Sequence, residues 1–365
     1  MVPRWALAKR PMEAELTIQL INGAEISVVG MDKPDRIEGR PLDFFGGDEF
    51  GNMKESTWKE NIRPALSTLN RPGEAVFTGV PESRNHFYRM FLHAQEVHQR
   101  RLAGDPKAQW EAYHWPSEDV LNATEEGRAD LAEAKATLDP QTYDREYNAN
   151  FVNFEGRVYY AFKREDHAKT RCIYRPELPI IITLDFNISP GVAVIIQEQD
   201  GYTCAIGEVW IPQDSNTELV AKKLCYDWAH HKGEVRLYGD ATGGAPKTQS
   251  VDGSDWDILY KVMRPIFGSR LRNYVPRANP YERIRVNAVN ARLRTADGEI
   301  HARFDPVACA HLIEDLDSVT MIEGGSGEID KKMDPMLTHI SDAYGYYIAA
   351  KFPIQSGTSS ETNIY

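Results

Sequence analysis

The sequence predicts an α/β protein of two domains, in which the larger domain has a mixed sheet flanked by helices. The length of 365 residues is sufficient for two domains with separate cores. Residues 180–184 form a short, β-branched, apolar run, which is typical of a strand buried on both faces. Runs of this kind come first in the larger domain and then alternate with helical patterns, which favours a mixed sheet over an all-helical or all-β fold.

The elements before residue 164 predict a smaller α/β domain and a helical connection. Residues 15–29 alternate around Asn22-Gly23, the signature of a hairpin, and residues 75–78 read as a short buried strand. Residues 84–102 have the apolar spacing of a helix. Residues 114–163 contain two helix-capping residues and a breaking proline, which predicts a helical lid and linker. The predicted boundaries are therefore 1–113, 114–163 and 164–353, followed by a disordered tail, 354–365.

The larger domain, 164–353, is predicted to contain at least four strands and four helices. Residues 180–184 and 191–197 form a hairpin, and 202–210 make a third strand. A helix at 217–231 leads to a strand at 235–238. The remaining predicted helices cover 281–294, 306–319 and 342–350.

The composition excludes several classes of protein. Apolar residues make up 42% and charged residues 26% of the chain, as in ordinary globular proteins, and the net charge is −12. No apolar run has the length of a membrane span, and the first residues lack the apolar core of a signal peptide. Four scattered cysteines without a CxxC pair predict reduced, buried thiols. We therefore expect a globular protein of a reducing compartment that does not bind membranes.

Three widely spaced acids are the strongest functional signal. Asp185 and Asp240 each end a predicted strand, and Asp342 lies in the first turn of a predicted helix. Carboxylate oxygens are preferred ligands of Mg²⁺ or Mn²⁺, and two such ions can activate water and cleave a phosphodiester. Strand ends and a helix acid combine in this way in ribonuclease H-like nucleases. His339 either touches this site or is a capping or packing residue.

Two further acids, Asp330 and Asp334, precede the last helix and could be outer metal ligands. Lysines 331 and 332 lie between them. A polar loop is the better interpretation of this segment.

A second acidic signal lies in the smaller domain. The run LDFFGGDEF ends on Asp48-Glu49, and Thr78 ends another strand about thirty residues later. In ATP-hydrolysing motors such an Asp orders the Mg²⁺ shell, such a Glu polarises the attacking water, and a small polar residue can sense the γ-phosphate. The alternative is an exposed turn, since Asp-Glu pairs are common.

Arginines are concentrated in one segment of this acidic chain. Residues 264–303 contain nine arginines and three acidic residues. A local basic segment is compatible with binding a DNA backbone, whereas a solvated helix face is the usual alternative. Arg283, Arg285 and Arg292 are the DNA-binding candidates, together with Lys247 after the second strand-end acid.

The order of these motifs resembles the large terminase subunit of tailed bacteriophages. The motifs LDFFGGDEF, FTGVP, ITLDFN, LYGDATGG and HISDAYGYYI follow one another from about residue 15 onward. That family joins a P-loop packaging ATPase to a ribonuclease H-like nuclease that cuts concatemeric viral DNA. The resemblance implies that Asp48 and Glu49 are the Walker B pair, Thr78 belongs to the coupling motif, and Asp185, Asp240 and Asp342 are the nuclease acids.

The resemblance also implies partners and cofactors. These are double-stranded DNA, a portal protein and a small terminase subunit, with a ring oligomer on the portal, a monomer when free, and a location in the host cytoplasm. Two Mg²⁺ or Mn²⁺ ions are implied at the nuclease site. ATP-Mg²⁺ is expected only if a missing ATPase portion is supplied.

The chain departs from the family pattern in two places. No G-x-x-x-x-G-K-[ST] loop precedes Asp48, so residues 1–113 match only the later part of a P-loop ATPase domain. Residues 243–248 imitate the loop but carry Pro246 where its second glycine is required. Glu38 stands where the family often has an arginine, which leaves Arg36 and Arg40 as arginine-finger candidates. Two alternatives remain: a stand-alone resolvase-like nuclease, and a non-enzymatic remnant that docks to a portal.

Overall fold

The computed structural model describes residues 2–37, 39–68, 71–81, 85–151, 156–187, 189–244, 253–322, 328–332 and 334–354. The chain divides into two compact units, Met1–Ala112 and Tyr113–Tyr365. Among the described residues, no helix is both long enough and apolar enough to cross a membrane.

The described residues of unit 1 form three small two-stranded sheets and two helices. The predicted hairpin is confirmed: β1 (Thr17–Gln19) pairs antiparallel with β2 (Glu25–Ser27). The second sheet pairs β3 (Phe44–Gly47) in parallel with β6 (Glu74–Phe77), and the third joins β4 (Ser67–Thr68) to β5 (Arg71–Pro72). The helices are α1 (Arg63–Leu66) and α2 (His86–Leu102).

The parallel pair β3–β6 is covered on one face. Phe45 and Phe77 pack against the core residues Phe50 and Ile62. On the other face Phe44 is 58% and Val76 is 51% exposed. The predicted buried strand is therefore buried on one side only, although purely parallel sheets are normally covered on both faces.

Unit 2 is built on a six-stranded mixed sheet. Its strands are β7 (Ile180–Asp185), β8 (Gly191–Gln199), β9 (Tyr202–Ile211), β10 (Val235–Gly239), β11 (Leu271–Asn273) and β12 (Ala302–Phe304). Their order is β11-β10-β7-β8-β9-β12. Strands β7, β8 and β9 are antiparallel neighbours, whereas β10, β11 and β12 join the sheet in parallel.

The described part of unit 2 contains nine α-helices. They are α3 (Glu118–Leu121), α4 (Glu125–Thr137), α5 (Pro140–Glu146), α6 (Arg164–His167), α7 (Thr217–Trp228), α8 (Asp255–Phe267), α9 (Glu282–Leu293), α10 (Ala310–Ser318) and α11 (His339–Lys351). Residues of α9, α10 and α11 form one core with the sheet, and residues of α7 and α8 form the other. Ile181 of β7 faces the first core, and Ile180 and Ile182 face the second. Period-two alternation therefore buries both faces of the strand.

Most predicted elements of unit 2 are present, and the strands β11 and β12 and the helix α8 are additions to them. Ser254 caps α8 and forms a reciprocal capping box with Asp257. Residues 114–163, predicted as a lid and linker, contain α3, α4 and α5, but Val158, Tyr159 and Phe162 lie in the sheet's first core. Cys172, Cys204 and Cys309 are buried free thiols.

Candidate active site on the six-stranded sheet

Asp185 and Asp240 lie at the carboxyl ends of two neighbouring parallel strands. In the register of β7 with β10, Leu184 is opposite Gly239. The backbone N–H of Asp240 donates to the Leu184 carbonyl at 3.1 Å, so the pairing continues one residue beyond the strand. Gly239 has φ +146°, and a Cβ there would lie 2.4 Å from the Leu184 oxygen. A glycine is therefore required where the two acids approach each other.

Helix α11 brings Asp342 to the same end of the sheet. Thr183 of β7 donates from Oγ1 to the carbonyl of Ala343 at 2.5 Å, which joins the helix to the strand. One turn earlier, Nδ1 of His339 lies 3.2 Å from Oδ2 of Asp185. This contact raises the pKa of His339, with burial acting in the opposite direction. His339 therefore touches the candidate site.

Asp342 is buried between two cations. Asp342 is only 6% exposed, and burial raises the pKa of its carboxyl group to about 6. Nη2 of Arg285 lies 2.5 Å from Oδ1, and Nζ of Lys331 lies 3.7 Å from Oδ2. Both cations lower this pKa, whereas the negative charge of Asp185 raises it.

Asp240 is held by hydrogen bonds from two residues that the sequence did not single out. Thr242 donates from its backbone N–H and its hydroxyl at 2.7 Å, and Asn279 donates from Nδ2 at 2.6 Å. Asn279 in turn accepts from the Ala241 N–H at 2.8 Å. Thr242 could have been noticed as the second residue after a strand-end acid, but nothing in the sequence links Asn279 to Asp240.

Tyr346 lies one turn after Asp342 on α11, and all three acids affect its pKa. Burial raises the pKa of its hydroxyl, the nearby Arg285 lowers it, and the charges of Asp185, Asp240 and Asp342 each raise it. The three carboxylates predicted from the sequence therefore act electrostatically on a single hydroxyl group. Asp330 and Asp334, by contrast, accept from the backbone N–H groups of Lys332 and Met336, as residues of a polar loop do.

The chemistry of these donors fits a hard divalent cation, since three carboxylates supply oxygen ligands and one of them is buried with a raised pKa. Within the described part of the chain, however, no group of three or more His, Cys, Asp or Glu side chains is arranged as a metal site. The two oxygens of Asp342 face Arg285 and Lys331 instead. A cation there would displace at least one of these partners.

The placement of the arginines corrects the predicted DNA-binding set. Arg285 is only 5% exposed and pairs with Asp342, so it does not face a DNA backbone. Arg292 donates to Thr203 and to the carbonyl of His301, and it lies 3.9 Å from the ring centre of Phe352. Both arginines lie on the packed side of α9. Their positions there could not be predicted from the sequence, because charged residues are usually expected at the surface. Arg283 is half-buried, and Lys247 lies outside the described residues.

In unit 1 the parallel pairing of β3 with β6 brings Asp48 and Thr78 together. Thr78 donates from Oγ1 to Oδ1 of Asp48 at 2.9 Å, and the backbone N–H of Glu49 donates to the same oxygen at 3.1 Å. Glu49 has φ +47°, a left-handed conformation that is uncommon for a glutamate. Such strain is frequent at functional sites.

The two arginine-finger candidates are surface residues. Arg36 is 3.7 Å from Asp32, and Arg40 is also exposed. Nothing places either arginine at Asp48, and their role stays a prediction. Glu38, which replaces the arginine of the family pattern, lies outside the described residues.

The described fold defines the class of protein: an α/β protein in which unit 2 is a mixed six-stranded sheet flanked by helices with acids at its strand ends, and unit 1 is a smaller α/β unit. The predicted fold class is confirmed. No protein-family model matches the chain.

Comparison with known proteins identifies the relatives. The chain is 26% identical over 154 residues to the large terminase subunit of Escherichia phage T5, covering 42% of this chain and 32% of that protein. It thus spans about a third of the curated relative's length. The large terminase of a thermophilic bacteriophage superposes with a TM-score of 0.53 at 15% identity, over 94% of this chain and 78% of the other. The same phage protein in complex with ATP-γ-S gives an equal TM-score over 93% of this chain. These findings confirm that the chain resembles phage large terminase subunits.

Proposed function

We propose that unit 2 is a divalent-metal-dependent DNA endonuclease and that the chain acts as a phage large terminase subunit. In this role it cuts concatemeric double-stranded viral DNA during ATP-driven packaging. The observation that carries the proposal is the hydrogen bond from Asp240 N–H to the Leu184 carbonyl, because it holds two acids at adjacent strand ends. The helix that carries Asp342 is joined to the same strand through Thr183. The sequence resemblance to the T5 large terminase subunit supports it.

Asp185, Asp240 and Asp342 would hold Mg²⁺ or Mn²⁺, two ions in all, which would supply a nucleophilic water and stabilise the leaving oxygen when bound. Thr242 and Asn279 hold the Asp240 carboxylate in place through donated hydrogen bonds. His339 contacts Asp185 from the first turn of α11, and this contact raises the pKa of His339. The glycine at position 239 allows the two strand ends to approach.

Unit 1 would contribute the later part of the packaging ATPase. Asp48 would order the Mg²⁺ shell of ATP, Glu49 would position the attacking water, and Thr78 would couple the nucleotide to movement. The contact between Thr78 and Asp48 supports a shared role. Hydrolysis requires a phosphate-binding loop, supplied from outside residues 1–112, and an arginine finger for which Arg36 and Arg40 remain the candidates.

The proposed partners follow from this role. They are double-stranded DNA, a portal protein and a small terminase subunit in the cytoplasm of the bacterial host, with a ring on the portal and a monomer in free solution. The proposed domain boundaries remain 1–113, 114–163 and 164–353.

Incubation of the purified chain with supercoiled plasmid tests the proposal. We expect nicked and linear products with Mn²⁺ or Mg²⁺ and none with EDTA. A four-way DNA junction in the same assay distinguishes the terminase proposal from the resolvase-like alternative. The alternative predicts that the junction is cut in preference to the plasmid. Intact plasmid and intact junction at all metal concentrations would favour the non-enzymatic portal-docking alternative.

A further inference from the structure

Arg285 is a buried arginine beside a carboxylate of the candidate nuclease site. It projects from α9, and its Nη2 lies 2.5 Å from Oδ1 of Asp342. Its guanidinium carbon lies 4.7 Å from the centre of the Tyr346 ring. Burying a charge is costly unless it is paired, so Arg285 is retained at this position by its contact with Asp342.

The two oxygens of Asp342 have different partners. Oδ1 contacts the buried Arg285, whereas Oδ2 lies 3.7 Å from Lys331, whose side chain is 49% exposed. Lys331 makes its closer contact, 2.5 Å, with Glu282. The exposed Lys331 has a second partner, so it can move away from Oδ2 at little cost in free energy. If the buried Arg285 moved away from Oδ1, it would become an unpaired buried charge, which is strongly destabilising.

Gly345 provides the space for the arginine. A Cβ at position 345 would lie 2.7 Å from Cγ and 2.9 Å from Cδ of Arg285. These atoms belong to the buried stem of the side chain, so they could not yield without displacing the guanidinium. The helix carrying Asp342 is therefore shaped to receive Arg285.

We propose that Arg285 is a positioning residue of the nuclease site, which holds Oδ1 of Asp342 and so presents Oδ2 to a divalent cation. This inference rests on the proposed metal-dependent nuclease. Arg285 does not touch DNA or the reacting atoms; it fixes the orientation of a ligand, as hydrogen-bonded partners of metal ligands generally do. Lys331 is the partner that the cation displaces.

Calorimetric titration of the folded full chain with Mn²⁺ tests the inference without reference to cleavage. We expect Arg285→Met to weaken Mn²⁺ binding roughly 10–100-fold, as losses of such partners do. Arg285→Lys keeps a charge and a donor, so it should recover part of that loss. Gly345→Ala keeps the arginine but displaces it, so it should weaken Mn²⁺ binding although alanine favours a helix.

Arg292→Met is the matched control, because Arg292 lies on the same helix and its contacts are internal. It should lower the melting temperature but leave Mn²⁺ affinity unchanged. Equal or tighter Mn²⁺ binding by Arg285→Met and Gly345→Ala, in a parent that cuts DNA, would overturn the inference and leave the nuclease intact. A parent that binds Mn²⁺ without cutting would overturn the proposed function, and the Mn²⁺ affinities would still decide the role of Arg285. A parent that neither binds nor cuts would overturn both.

Discussion

Thr78 donates a hydrogen bond from Oγ1 to Oδ1 of Asp48 at 2.9 Å, although the two residues are 30 positions apart. The contact arises because β3 and β6 pair in parallel, with Gly47 opposite Phe77, so the residues that follow them meet at one edge. The proposed magnesium-ordering acid and the proposed coupling residue are therefore in direct contact. A change at one of them is expected to reach the other.

Residues 1–112 are expected to be insufficient for ATP turnover. Positioning is the main source of catalysis in phosphoryl transfer, and it requires backbone N–H groups and a lysine on the phosphates. The purified chain should therefore hydrolyse ATP no faster than Asp48→Ala, while it retains metal-dependent DNA cleavage. Phosphate release at saturating ATP-Mg²⁺ is the measurement. Robust turnover that disappears in Glu49→Ala would show that a phosphate-binding loop is present.

Gly239→Ala is expected to be strongly destabilising. Its φ of +146° disfavours any side chain, and a Cβ would lie 2.4 Å from a backbone oxygen that cannot move freely. We expect a loss of roughly 2–4 kcal/mol in the free energy of unfolding. Gly201→Ala is the control, since φ is +85° there but nothing lies within 4 Å of the added Cβ. It should cost about 1 kcal/mol. Equal losses in the two variants, by urea unfolding, would show that the close approach of β7 and β10 is unimportant.

Asp315 is expected to make stability fall as the pH rises. Burial raises its pKa from 3.8 to about 7, the charge of Asp342 adds to this, and hydrogen bonds from Ser341 oppose it. The folded state then holds a proton that the unfolded state has lost, so this stabilisation is complete below about pH 4 and is lost as the pH approaches 7.

Asp315→Asn tests this prediction, because it keeps an oxygen acceptor for Ser341 and removes the charge. Between pH 5 and pH 8 in EDTA, the parent should lose roughly 2–3 kcal/mol relative to the variant. Asp317→Asn is the control, since Asp317 is a partly exposed partner of Arg157 and Arg164. Parallel pH profiles for the parent and Asp315→Asn would contradict the assignment.

Arg272 and Arg277 were not singled out from the sequence, but they are exposed members of the arginine-rich segment and we propose them as DNA contacts. Each phosphate contact contributes about −0.9 to the slope of log affinity against log salt on duplex DNA. Replacing both arginines with alanine should therefore flatten the slope by roughly 1.8. Lys222 and Lys223 pair with Glu218 and Asp227 on α7, so their double alanine variant should leave the slope unchanged. Fluorescence anisotropy with a DNA duplex gives both slopes.

Four of the six strands of the unit 2 sheet were predictable because their signals are local, whereas the three-residue strands β11 and β12 were not predicted. The β-branched run at 180–184 predicts a buried strand, and Asp185 follows it directly, so Asp185 is predicted to lie at the end of that strand. Asp342 was predictable from its place in the first turn of a helix. The fold class followed from the order of these elements and from the resemblance of the motifs.

The partners of the acids could not be predicted, because they come from distant segments. Asn279 reaches Asp240 across a gap of 39 residues, and Arg285 reaches Asp342 across 57. Arg285 and Arg292 were misassigned because sequence shows their charge but not their burial. A charged side chain is rarely buried without a partner. The partner of Arg285 is Asp342, and the two residues meet only because α9 packs on α11.

The central claim is that Asp185, Asp240 and Asp342 act together as the metal ligands of a nuclease. Plasmid cleavage in Mn²⁺ by three single Asp→Asn variants at these positions tests it most directly. Asp334→Asn, in the polar loop before α11, serves as the control, and melting temperatures establish that each variant is folded. We predict that all three variants fall to the EDTA background while the control cuts like the parent. Cleavage at the parental rate by folded Asp185→Asn would contradict the account.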